Sequence, residues 1–210
     1  MKRASQWLCF VWLVLLFNAT SITAAAETSF YRGKTLTVLI NYATGGPTDI
    51  EGRLVPKHLP KHIPGPPFII VNNMPGAGGV TANNYLGEVA KPDGLTMAYF
   101  TGNFFNILLP DSTLRVGLSK FAYIASIEGA SIADIRKDVA PGTPPEAVTA
   151  LRQGFRAMLT DEEFVAEFKK VTRSNPNYRV GVSGDKIVRR LQEAPPQVKA
   201  FIKKHTVAKS

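Results

Sequence analysis

Leu36-Thr37-Val38-Leu39-Ile40-Asn41-Tyr42-Ala43-Thr44-Gly45-Gly46-Pro47-Thr48-Asp49 passes from an apolar run through a glycine turn into a helix-like stretch. A short run rich in branched apolar residues and stopped by glycine reads as a β-strand. The residues after it read as a helix N-terminus. Such a corner leaves the first helical N–H groups unpaired and points the positive end of the helix dipole outward, so its natural guest is an anion.

Working outward, the same alternation repeats. Apolar runs over 36–41, 68–72 and 95–100 predict strands, and residues 48–62 and 80–90 predict the helices between them. Strands and helices that alternate at this spacing imply an α/β fold with a parallel sheet and right-handed crossovers. Ligands on such sheets bind beyond the strands' carboxyl ends. Here those ends open into the loops 42–48, 73–79 and 101–103. Pro56 and Pro60 each remove a backbone donor, so the first helix is expected to kink or stop early. Beyond a polar connection over 128–138, the last third reads as helices. Thr143-Pro144-Pro145-Glu146 carries a capping hydroxyl with a glutamate three residues on, and Thr160-Asp161-Glu162-Glu163 repeats the pattern. Ser183 is expected to cap a final helix, interrupted at Pro195 and Pro196.

The N-terminus has the form of an export signal: basic Lys2 and Arg3, an apolar core over 7–17, and Ala24-Ala25-Ala26 as a cleavage site. Removing residues 1–26 from a chain of 210 leaves 184, enough for one domain. It also removes the sole cysteine, Cys9, which excludes disulfide and thiol chemistry and fits a bacterial periplasm. The formal charge falls from +9 to +7 as Lys2 and Arg3 leave. Much of the surplus lies late, at Lys186, Arg189, Arg190, Lys199, Lys203, Lys204 and Lys209, and reads as a solvated helix face. Aromatic residues hardly interleave these bases, so nucleic acid is not an expected partner.

The chemistry-bearing residues form few constellations. His58 and His62 have the i, i+4 spacing of a metal face, but Pro60 intervenes and no carboxylate or cysteine completes a set. They read as solvated histidines, and no metal or cofactor is expected. Asp49 and Arg53, also four apart, suit a helix-surface ion pair, a bond from Asp49 to the first-turn amides, or a ligand-orienting role. Met74-Pro75-Gly76-Ala77-Gly78-Gly79 lacks both the lysine of a P-loop and the spacing of a dinucleotide fingerprint. No nucleophile elbow or paired-carboxylate site is present, so an enzyme is not expected.

Five stretches in order carry a resemblance: Tyr31-Arg32-Gly33-Lys34; Ala43-Thr44-Gly45-Gly46-Pro47-Thr48-Asp49 with Arg53; Val71-Asn72-Asn73-Met74-Pro75-Gly76-Ala77-Gly78-Gly79; Lys91-Pro92-Asp93-Gly94-Leu95-Thr96; and Ala140-Pro141-Gly142-Thr143-Pro144-Pro145-Glu146. Together they resemble the substrate-binding proteins of tripartite tricarboxylate transporters, the Bug-type periplasmic receptors. The resemblance covers about 30–127 and about 139–207. It implies a two-lobed receptor that delivers small carboxylates (dicarboxylates, tricarboxylates or acidic amino acids) to a membrane permease. In that family the chain leaves the first lobe, builds the second, and returns. Here the second lobe has no counterpart, and the gap falls at 128–138.

The expectation is therefore a periplasmic-binding-protein-like lobe with a mainly parallel sheet. Residues 1–26 are the signal, 27–127 the first part of the lobe, 128–138 the junction, and 139–210 helices that pack back on the same lobe. Backbone N–H groups of Gly45, Gly46, Thr48 and Asp49 would hold a carboxylate, with Tyr42, Ala43 and Thr44 in the same loop. Asn73, Gly76, Ala77, Gly78, Gly79, Thr101 and Gly102 would line the rim. Loss of the opposite wall would weaken binding. The alternative is a ligand-free interaction protein, or the product of an internally deleted receptor gene, with an apolar docking face near Phe104, Phe105, Ile107 and Leu108.

Overall fold

In the computed structural model the described residues are 29–109, 113–127, 131–136, 142–181 and 183–206. The export-signal expectation for residues 1–26 lies outside them. The first half builds as its alternation dictates: β1 (Thr35–Ile40), α1 (Pro47–His58), β2 (Phe68–Asn73), α2 (Val80–Asn84), β3 (Thr96–Thr101) and α3 (Asn103–Leu108). The rest adds β4 (Phe121–Ile127), β5 (Ser131–Arg136), α4 (Pro145–Met158), α5 (Glu162–Thr172), β6 (Tyr178–Val180), α6 (Ser183–Gln192) and α7 (Pro196–Thr206).

The six described strands join one sheet in the order β2-β1-β3-β5-β4-β6. β1 pairs in parallel with β2 and β3, as the crossovers require. β5 then joins β3 and β4 in antiparallel fashion, and β6 is an antiparallel edge on β4. The polar connection expected over 128–138 is thus corrected: β5 lies within it and occupies the middle of the sheet. Its Ser131-Ile132-Ala133-Asp134-Ile135-Arg136 has no strong strand signature, and ladders on both sides decide its conformation.

Period-two alternation along β1 sends Leu36, Val38 and Ile40 to one face and Leu39 to the other. The first face is covered by α1, α4 and α5, through Leu54, Val55, Leu151, Phe155, Phe164 and Phe168. The second is covered by α2 and the turn after it, α3 and the 116–118 segment, through Ala82, Leu86, Ile107, Val116 and Leu118. The C-terminal helices α4 and α5 therefore do pack back on the first half.

Local endings follow the residues. With Pro56 inside it, α1 stops at His58, and a 3-10 turn carries the chain to His62. The helix expected over 80–90 holds α geometry only to Asn84 and widens into a π turn over Tyr85–Val89. There Gly87 lies so close to Val116 that an added Cβ would sit 2.5 Å from it. Thr143 does not cap α4, whose N-cap is Pro144 without a side-chain bond. Asp161 rather than Thr160 caps α5, accepting from the N–H groups of Glu163 and Phe164.

Candidate functional site at the carboxyl ends of the parallel strands

Because β2, β1 and β3 run in parallel, their carboxyl ends deliver the loops 42–48, 73–79 and 101–103 to one rim. Asn41, buried at the end of β1, ties two of them. Its Nδ2 donates to the Thr101 carbonyl at 2.8 Å, and its Oδ1 accepts from the Thr101 N–H at 3.1 Å. Gly79 lies against the same side chain, where a Cβ would sit 2.3 Å from Asn41 Nδ2. Asn83 Nδ2 donates to the Gly79 carbonyl at 3.1 Å and to Asn103 Oδ1 at 2.8 Å, joining the second loop to the third. Thr48 and Thr101 bring their hydroxyls within 3.0 Å of each other. Tyr42 leans over Gly102, where an added Cβ would meet its hydroxyl at 3.4 Å. Asn41, Asn83 and Asn103 were not singled out from the sequence. Asparagine in a glycine loop is too common a turn residue for its burial to be legible there.

Asp49 is buried behind this rim rather than presented on it. Its Oδ2 accepts from the Gly45 N–H at 2.8 Å; its Oδ1 accepts from Arg53 Nε at 2.9 Å and from Asn73 Nδ2 at 2.8 Å. The ion-pair reading of the Asp49/Arg53 spacing holds, while the carboxylate turns back to the Gly45 N–H ahead of the helix rather than to the first-turn amides. Burial pushes the Asp49 carboxyl up, but the bonds from Arg53, Gly45 and Asn73 outweigh it and hold the group below the usual carboxylate range. Asn73 also donates to the Tyr42 carbonyl at 2.9 Å, and its Oδ1 accepts from Arg53 Nη2 at 2.9 Å. It is a brace for the first loop.

The expected carboxylate cradle is corrected in one respect. The Gly45 N–H is engaged by Asp49, and the Gly46 N–H points to the Ala43 carbonyl at 3.4 Å. A resident carboxylate thus takes part of the anion-binding capacity at the start of α1. The N–H groups of Thr48 and Asp49 have no partner among the described residues. Tyr42, Ala43, Thr44, Gly76, Ala77 and Gly78 are exposed around them, and Thr48, Thr101 and Gly102 are half-buried. Gly76, Ala77, Gly78 and Gly79 all have positive φ, from +45 at Ala77 to +136 at Gly76. That curl is what glycine permits, and Ala77 holds it against its own preference. Beyond this loop a groove of about 320 Å³ runs between Met74, Ala77, Tyr85 and Val89, with the Arg115–Glu88 ion pair (2.6 Å) beside it.

The two histidines are also corrected. His58 is fully buried, with Nε2 2.7 Å from Glu167 Oε2, and His62 Nε2 lies 2.9 Å from Asp161 Oδ2. Lys57 and Lys61 join Glu167 and Glu163 alongside. The pairs staple α1 and its 3-10 extension to α5. The acids that bury them come from more than ninety residues away, out of reach of local spacing.

No family model matches the chain, and no curated protein matches it. Solved structures do. A TctC solute-binding protein from Polaromonas, solved without ligand, aligns over 83% of this chain and 99% of its own, with TM-score 0.62 and 15% identity. The periplasmic binding protein BugD aligns over 83% and 98%, with TM-score 0.57 and 13% identity. An R. palustris protein solved with adipate aligns over 82% and 97%, with TM-score 0.55 and 14% identity. The structural neighbours are TctC/Bug-type periplasmic solute-binding proteins, and the chain has their fold.

Proposed function

We propose that the chain is an exported solute-binding protein of the periplasm, of the tripartite tricarboxylate transporter type, and that it takes a small carboxylate at the rim of β1, β2 and β3. The observation that carries this reading is the pair of N–H groups at Thr48 and Asp49, without a partner among the described residues, at the end of the sheet where the Thr48 and Thr101 hydroxyls meet. The two oxygens of one carboxylate can each accept from one of these amides, and the hydroxyls suit an oxygen of a second carboxylate. The neighbour that holds adipate supports a dicarboxylate as the first candidate. A membrane permease is the partner this role requires.

All described strands belong to one sheet, so the rim offers a single wall. A receptor that closes two lobes excludes water from both sides of its ligand. With one wall the loss runs to several kcal/mol, tenfold in affinity for each 1.4 kcal/mol. Thermal-shift and calorimetric titration with adipate, citrate and glutamate tests the reading. A saturable response that falls in Thr101→Val and Thr48→Val supports it. Silence up to millimolar ligand from a folded protein overturns it.

That silence would favour the ligand-free interaction reading. Its docking face is not the one expected near Phe105: Ile107 and Leu108 are buried, and Phe104's side chain is outside those described. Phe105 alone is exposed there, and a paired apolar exposure lies instead on the uncharged edge strand β2, where Phe68 is 70% and Ile70 50% exposed.

A further inference from the structure

The last helix, α7, buries almost none of itself: every described side chain from Pro196 to His205 is exposed or half-buried. Its sequence is nonetheless patterned for burial. Val198, Phe201, Ile202 and His205 fall at i, i+3, i+4 and i+7, a single stripe along one face. His205 packs on Phe201 with ring centroids 4.2 Å apart and bonds the Phe201 carbonyl through Nδ1 at 2.7 Å, which carries the stripe into the next turn. Yet Val198 is 44% and Phe201 64% exposed. A stripe of this kind left facing water marks a surface that meets something else.

Its charge says what. α7 contains no Asp or Glu. Lys199 and Lys203 flank the stripe on one side and Lys204 on the other. Lys199 reaches the Gln192 carbonyl at 2.8 Å, and Lys203 and Lys204 have no ion-pair partner among the described residues. The preceding α6 adds Lys186, Arg189 and Arg190, all exposed. With lysines on both flanks of a narrow apolar stripe, the helix matches a flat, anionic, half-apolar medium. At eleven residues it is too short to span a bilayer and is built to lie along one.

We infer that α7 docks on an anionic phospholipid surface, seating Phe201, Val198 and Ile202 at the headgroup boundary while Lys199, Lys203 and Lys204 extend to the phosphates. This inference is independent of the carboxylate rim, which is built from other elements.

The test is flotation of the full chain with phosphatidylglycerol-containing vesicles, pure phosphatidylcholine vesicles, and an acidic protein coupled to beads. The expected result is binding to the anionic vesicles that weakens several-fold as salt rises, because the charge component is screened. Phe201→Ser and the double variant Lys203→Glu/Lys204→Glu should each lower it by about tenfold or more at unchanged melting temperature. The apolar residues 7–17 can themselves meet lipid, so the decisive quantity is the difference between chains that vary only in α7. Equal binding of parent and variants overturns the inference, as does equal binding to neutral vesicles. Capture by acidic beads that needs the lysines but not Phe201, without vesicle binding, assigns the helix to an acidic protein and overturns it too.

Discussion

Asp49 decides what the rim can offer. Its carboxylate serves three internal donors, and those bonds keep its carboxyl below the ordinary range despite burial. A group with a depressed folded-state pKa stabilises the fold at pH above its unfolded value, near 3.8, and that contribution is lost as pH falls through the lower folded value. Asp49→Asn should therefore lower stability at neutral pH and flatten its decline below pH 3.8, measured by urea unfolding across pH. Two neighbouring glycines separate conformation from space. Gly79 has φ +94 and a Cβ site 2.3 Å from Asn41 Nδ2; Gly78 has φ +60 and open space. Gly79→Ala should cost roughly 2–4 kcal/mol by thermal melting, since strain and clash add. Gly78→Ala should cost about 1 kcal/mol, the left-handed penalty alone.

The most consequential contact between elements is the seam of α1 with α5. His58 is buried against Phe164, ring centroids 5.5 Å apart, and shares Glu167 with Lys57. Hydrogen bonds from Lys57 and then His58 hold the Glu167 carboxyl below its usual range, so this support too is present above the unfolded value and fades in acid. His58→Ala removes a packed ring and its bond together and should cost about 2–4 kcal/mol by chemical denaturation. Lys61→Ala, which breaks an exposed pair with Glu163, should leave the melting temperature nearly unchanged. If the two variants fall equally, the seam works by charge rather than by packing.

Across the whole molecule, residues 131–136 sit between β3 and β4 and make the two halves of the chain one sheet. Tyr99 adds a second link, its hydroxyl bonding Glu51 on α1 and lying 3.0 Å from the Tyr178 hydroxyl on β6. Neither half closes its core without the other, so heating should give one cooperative transition. Far-ultraviolet circular dichroism and tyrosine fluorescence should report the same midpoint. Tyr99→Phe should shift that midpoint by the loss of about 1 kcal/mol without splitting the transition.

The parallel β2-β1-β3 unit, the glycine corner and the break of α1 near Pro56 were legible because each rests on neighbours in the chain: apolar period, turn residues, a missing donor. The rim's location followed from strand direction alone. What the rim presents did not. Whether an amide is free depends on where a carboxylate three or four residues away turns, and whether Asn41 or His58 is buried depends on partners sixty to more than a hundred residues distant. β5 is the same case at larger scale, a segment of weak preference made a strand by ladders on both sides. Local sequence determined the elements and the end of the sheet where a ligand would sit; long-range packing alone decided which amides, rings and charges were left for it, because those are settled by contacts no local pattern encodes.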